Sequence, residues 1–144
     1  MLAFCFQRES RIAFDILLEY SEATIIVDAY NNRAVVYKAQ RRLDLALNDY
    51  NQALAIDPLY ESAFYNRANL YREHGNYDLA LADYTRAIAL TPKAARVYIN
   101  RSLVYKAESQ YQAALADALH AQSLGYNKNL DQYILELKKL IDEK

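Results

Sequence analysis

Apolar and aromatic side chains return along this chain in a fixed order. Between Glu61 and Pro92 the order is Phe64, Ala68, Tyr71, Gly75, Tyr77, Ala80, Tyr84, Ala87 and Pro92. A shift of 34 residues upstream meets Tyr30, Ala34, Tyr37, Leu43, Ala46, Tyr50, Ala53 and Pro58. The same shift downstream meets Tyr98, Ser102, Tyr105, Tyr111, Ala114, Ala118 and Ala121. Intervals of three and four within each copy put these residues on one face of a helix. Each copy therefore predicts two antiparallel helices. First helices are expected near 27–40, 61–74 and 95–108, and second helices near 43–56, 77–90 and 111–123. Gly75 can take the positive φ of a helix end, and Asn76 is placed to cap the helix that follows. Pro58 and Pro92 lie just past second helices, where a fixed φ and a missing N–H stop propagation.

The ends follow the pattern less closely. Leu130, Tyr133, Ile134, Leu137, Leu140 and Ile141 recur at helical spacing, with Asp131, Gln132, Glu136, Lys138 and Lys139 on the other side. This predicts an amphipathic helix closing the array. At the other end, Glu19-Tyr20-Ser21-Glu22-Ala23 resembles Asp49-Tyr50-Asn51-Gln52-Ala53 and Asp83-Tyr84-Thr85-Arg86-Ala87 of the second helices. With Ile12 and Ile16 it predicts a leftover second helix over about 9–23 that covers the open face of the first repeat. Tyr20 precedes Tyr30 by ten residues, whereas Tyr50 precedes Phe64 by fourteen, so the connection is four residues short.

A 34-residue period of aromatic, small, aromatic, then Ala-x3-aromatic-x2-Ala and Pro resembles the tetratricopeptide repeat family, across residues 27–128. The resemblance implies an all-α fold, a right-handed superhelical stack of antiparallel helix hairpins with N- and C-terminal capping helices. The divisions would be 1–26 for the N-terminal cap segment, 27–60, 61–94 and 95–128 for three repeats, and 129–144 for the C-terminal cap.

Composition narrows the function classes. The chain has 144 residues, 53% of them apolar, which suits one folded domain. A net charge of −1 creates no field toward nucleic acid or an anionic membrane. The single Cys5 cannot form an internal disulfide and fits a reducing, cytoplasmic setting. Arg8, Glu9 and Arg11 interrupt the apolar start before a signal-peptide core could form, and no run reaches the roughly 20 apolar residues of a membrane span. His74 and His120 share no motif, and no phosphate loop or metal-ligand cluster occurs. No enzyme activity, cofactor or metal is expected.

The informative polar feature is an asparagine at one register, Asn32, Asn66 and Asn100. In the family, positions two, five, six, nine and twelve of each first helix line the concave face. The resemblance thus implies a groove of Asp28, Asn31, Asn32, Val35 and Lys38, then Ser62, Tyr65, Asn66, Asn69 and Arg72, then Arg96, Ile99, Asn100, Leu103 and Lys106. An amide both donates and accepts, so an Asn ladder can hold the backbone of an extended peptide; it can equally pair with neighbouring helices. Lys38, Arg72 and Lys106 recur at the repeat interval and with Arg96 would make one side positive, favouring an acidic peptide. The same row also suits helix C-termini without any ligand. Arg33, Arg67 and Arg101 each precede an aspartate, Asp49, Asp83 and Asp117, by sixteen residues and are expected to form structural pairs.

Family members that grip chaperone tails carry a carboxylate clamp of Lys, Asn, Asn, Lys and Lys or Arg. Here those positions hold Asn31, Val35, Asn66, Arg96 and Asn100, so the clamp is broken. One repeat later they hold Tyr65, Asn69, Asn100, Leu130 and Ile134, which breaks it again. The expectation is a protein-interaction module binding a peptide of a partner through Asn32, Lys38, Tyr65, Asn66, Asn69, Arg72, Arg96, Asn100 and Lys106. The alternative is a scaffold, a homo-oligomer that self-associates through its terminal helices.

Overall fold

The computed structural model describes the backbone of residues 2–127 and 129–143, and side chains from residue 19 on, Lys128 and Lys144 excepted. Among the described residues seven α-helices follow one another: α1 Leu2–Ala39, α2 Leu43–Ile56, α3 Glu61–Glu73, α4 Tyr77–Leu90, α5 Ala95–Ala107, α6 Tyr111–Ser123 and α7 Leu130–Asp142. No strand occurs among the described residues. The chain divides into two compact units, residues 1–60 and 61–144.

In the first unit α1 packs on α2. Val27 and Ala34 of α1 and Ala46, Tyr50 and Ala53 of α2 are buried. Alanine on both faces lets the backbones approach, and the tyrosine fills the space beside them. The Tyr60 hydroxyl donates to Asp28 Oδ1 at 2.6 Å and ties the end of this unit back to α1.

In the second unit α3 packs on α4, α4 on α5, α5 on α6 and α6 on α7. One apolar cluster joins Ala68, Ala80, Tyr84, Ala87, Val97 and Val104. Another joins Tyr98, Ala114, Ala118 and Ala121 to Leu130, Ile134 and Leu137 of α7. Ser102 replaces the alanine at this crossing. Its hydroxyl is 2.7 Å from the Ala114 carbonyl and 2.9 Å from the Tyr133 hydroxyl, linking α5, α6 and α7.

Two expectations need correction. The leftover helix over 9–23 does not turn back, because α1 runs unbroken from Leu2 to Ala39. The missing four residues are the turn itself, and no Gly or Pro lies between Tyr20 and Tyr30 to interrupt the helix. Thr24, a residue that competes for backbone hydrogen bonds, is accommodated by donating its Oγ1 to the Tyr20 carbonyl at 2.9 Å. Ile12, Ile16 and the apolar Leu2, Phe4 and Phe6, together with Cys5, lie outside the described side chains. Asn76 does sit at the N-cap of α4, but its side chain makes no capping bond. Its carbonyl instead accepts the Ala80 N–H at 3.0 Å.

Candidate binding surface on the first helices

The three Arg–Asp columns set the frame of each hairpin. Arg33 donates from Nε and Nη2 to the two Asp49 oxygens at 2.6 and 2.8 Å. Arg67 grips Asp83 at 2.7 and 2.8 Å, and Arg101 grips Asp117 at the same distances. Each guanidinium also lies over two aromatic rings one helical turn to either side. These are Tyr30 and Tyr37 for Arg33, Phe64 and Tyr71 for Arg67, and Tyr98 and Tyr105 for Arg101. The forked geometry satisfies the aspartate, while the rings receive the cation's faces. The hydrogen bonds to Asp83 and Asp117 hold Arg67 and Arg101 even more firmly protonated than usual, against the opposing effect of burial.

On α1, Asn32 is exposed and its Oδ1 lies 3.5 Å from Asn31 Nδ2. Lys38 is half-buried in the last turn of the same helix.

On α3 and α5 the predicted residues fall into groups. Asn100 Nδ2 donates to the Tyr65 hydroxyl at 2.8 Å, and Arg96 lies over the Tyr65 ring at 4.7 Å. Arg96 Nη2 also meets the Glu61 carboxylate at 3.2 Å. Asn69 Oδ1 accepts the Tyr84 hydroxyl at 2.6 Å. Arg72, in the last turn of α3, keeps its Nε buried without an acceptor and has Glu73 4.0 Å from Nη2. Burial raises the Tyr84 pKa well above the ordinary phenol range, an effect that nearby Arg72 partly offsets. Lys106 reaches Glu136 of α7 at 2.7 Å and lies over the Tyr133 ring at 5.4 Å. Asn66 and Leu103 line the same helices, Asn66 half-buried and Leu103 exposed.

Within residues 61–144 the positive row is therefore partly balanced: Arg96 and Lys106 each have a carboxylate in contact. The sequence reading missed Glu61, Glu136 and Tyr133. Part of the signal was available. Glu61 precedes Arg96 by 35 residues, and Tyr65 precedes Asn100 by the same 35. One period plus one residue brings adjacent first helices together.

The sequence model of the tetratricopeptide repeat matches residues 27–60 and 62–93. The chain therefore contains tetratricopeptide repeats. The model match stops before α5 and α6, which nonetheless form a hairpin with the same Arg–Asp geometry. No curated protein matches this tetratricopeptide repeat chain by sequence. Among solved structures it is similar to the first such domain of Spaghetti (RPAP3) bound to the HSP90 peptide SRMEEVD. That likeness has a TM-score of 0.76 at 19% identity and covers 81% of this chain and 94% of the other. The tetratricopeptide repeat domain of Arabidopsis OM64 gives 0.75 at 22% identity, covering 81% and 98%. That of Sgt2 from Aspergillus fumigatus gives 0.72 at 22%, covering 81% and 80%. The fold is thus the all-α helical-hairpin solenoid of the family. Among the described residues no helix is long and apolar enough to cross a membrane, and no His, Cys, Asp or Glu cluster is placed to hold a metal.

Proposed function

We propose that this chain is a non-enzymatic protein-interaction module that takes a peptide segment of a partner protein on its first helices. The carrying observation is the repeat match together with the likeness to a domain bound to the HSP90 peptide SRMEEVD. On α3 and α5 the binding residues are Tyr65, Asn66, Asn69, Arg72, Arg96, Asn100 and Lys106, with Leu103 as an apolar contact. Asn32 and Lys38 hold the corresponding register on α1. A cytoplasmic site of action belongs to the same reading.

The geometry refines the ligand. An acidic peptide has to displace Glu61 from Arg96 and Glu136 from Lys106, or bind alongside them. Both pairs are solvent-accessible, so their exchange costs on the order of 1 kcal/mol or less. With the clamp broken, these side chains favour a peptide held by its backbone and one apolar residue over one held by its terminal carboxylate.

The test is selection from a random-peptide display library against the parent chain and against Arg96→Ala/Leu103→Asp. The expected outcome is a consensus enriched on the parent alone, with circular dichroism unchanged between the two proteins. Equal enrichment on both, or none on the parent, would remove the reading.

A further inference from the structure

The motif that closes a second helix also occurs on α1, where its tyrosine is exposed. Glu19-Tyr20-Ser21-Glu22-Ala23 has the register of Asp83-Tyr84-Thr85-Arg86-Ala87. Tyr84 is fully buried on α4, whereas Tyr20 is 74% exposed on α1. Farther along α1, Ile25 and Ile26 are 65% and 47% exposed and line a shallow hollow of about 290 Å³ with Ala29, Tyr30 and Arg33.

That hollow lies on a face which the second unit shows occupied. There α4 packs on α5, and Arg101 Nη1 donates to Thr85 Oγ1 at 3.1 Å. By register Arg33 corresponds to Arg101, and Ser21 to Thr85. Ser21 and Arg33 lie on the same unbroken helix, twelve residues and about 18 Å apart, and cannot meet within one chain. In two antiparallel copies of α1 they meet twice, because placing Ser21 against Arg33 also places Arg33 against Ser21. The crossing point falls at residue 27, beside Ile25, Ile26 and Ala29. Such self-complementarity is what a closed twofold interface requires.

Charge runs the same way. In that register residues 19–28 of one copy, with Glu19, Glu22 and Asp28 and no cation, run along residues 26–35 of the other, and Arg33 falls beside Glu22.

We propose that this face is covered by a second copy of the chain, in an antiparallel α1–α1 dimer with the Ser21-containing turn of each copy on Arg33 of the other. The α3 and α5 residues of the peptide-binding reading, Asn66, Asn69, Arg72, Asn100 and Lys106, take no part in this contact.

The test is the mass of the intact chain in solution by sedimentation equilibrium, beside Ile25→Asp/Ile26→Asp. The expected result is the mass of two chains for the parent and of one for the variant, with equal helical content. Register is read in a Cys5→Ser background by mixing Ile25→Cys chains with Ala29→Cys chains. These should cross-link to each other in preference to themselves, and Leu135→Cys on α7 should not cross-link. A single-chain mass for the parent at its highest soluble concentration overturns the proposal and assigns the face to another occupant. A dimer that survives Ile25→Asp/Ile26→Asp, or that cross-links through Leu135→Cys, overturns it equally.

Discussion

The Arg–Asp pair of residues 1–60 and the two pairs of residues 61–144 have the same bonds but different surroundings. Their distances agree to within about 0.1 Å, as expected for forked carboxylate geometry. The Arg33 side chain nevertheless remains 56% exposed, against 18% for Arg67 and 16% for Arg101. The aspartates do not differ in this way: Asp49, Asp83 and Asp117 are all buried. Sequence spacing therefore determines the pair, and its neighbourhood determines how much the pair matters. A repeat is a local design whose energetics depend on whether the adjoining face is filled.

That contrast can be broken most sharply by removing the acids. Asp83→Ala leaves a largely buried guanidinium without its partner and should cost about 3 kcal/mol in urea unfolding, with Asp117→Ala similar. Asp49→Ala should cost only a fraction of this, because Arg33 can turn to water. Removing the cations reverses the logic. Arg33→Met strands a buried Asp49 just as Arg67→Met strands Asp83, so those two variants should be destabilised alike. Equal losses for all three Asp→Ala variants in the Ile25→Asp/Ile26→Asp background would show that exposure of the pair is unimportant.

A smaller effect separates buried from exposed tyrosines. Tyr84 is buried and hydrogen-bonded to Asn69, and its folded-state pKa is raised by that burial. Folding therefore favours the neutral phenol. Stability is intact below about pH 10, the ordinary phenol range, and falls as pH rises above it, since the unfolded chain ionises first. Tyr133 is shifted in the same direction, mainly by burial. Tyr84→Phe should cost about 1 kcal/mol at neutral pH by leaving Asn69 without its donor, and should flatten the alkaline decline. Denaturation midpoints measured across that range check both signs. An unchanged alkaline slope in Tyr84→Phe would place the sensitivity elsewhere.

The difference between the units also explains what the sequence made legible. Helix positions from α2 to α6 followed from a repeat whose Ala-x3-aromatic-x2-Ala register fixes the buried face, and Pro58 and Pro92 bounded two of them. The course of α1 did not follow, although its cause was visible: ten residues from Tyr20 to Tyr30 leave no room for a turn. The motif is present in α1, but the turn that would make it a separate helix is not. On the candidate surface, periodicity placed Tyr65, Asn69, Arg96 and Asn100 on the correct helices. Helical spacing alone did not supply the partners: Tyr84, Glu61 and Glu136 meet Asn69, Arg96 and Lys106 through packing between helices. A single-helix period carries no information about such contacts.

The smallest prediction concerns a feature that ought to be indifferent to neighbours. The turn after each first helix contains one residue of positive φ: Arg41 at 60°, Gly75 at 75° and Ser109 at 59°. In all three the N–H of the following residue reaches the carbonyl five positions back, at 2.9, 2.9 and 2.8 Å. Only glycine, which lacks a Cβ, adopts this conformation without crowding. A Cβ at Gly75 would touch nothing within 4 Å, so the penalty there is backbone strain alone. Gly75→Ala should thus destabilise by about 1 kcal/mol, whereas Arg41→Gly and Ser109→Gly should each gain a few tenths once the greater freedom of the unfolded chain is subtracted. Because this strain is local, Arg41→Gly and Ser109→Gly should respond alike although they lie in different units, one in the unit with the open α1 face. A gain at Ser109 with a loss at Arg41 would mean that Arg41 makes contacts the turn alone does not require.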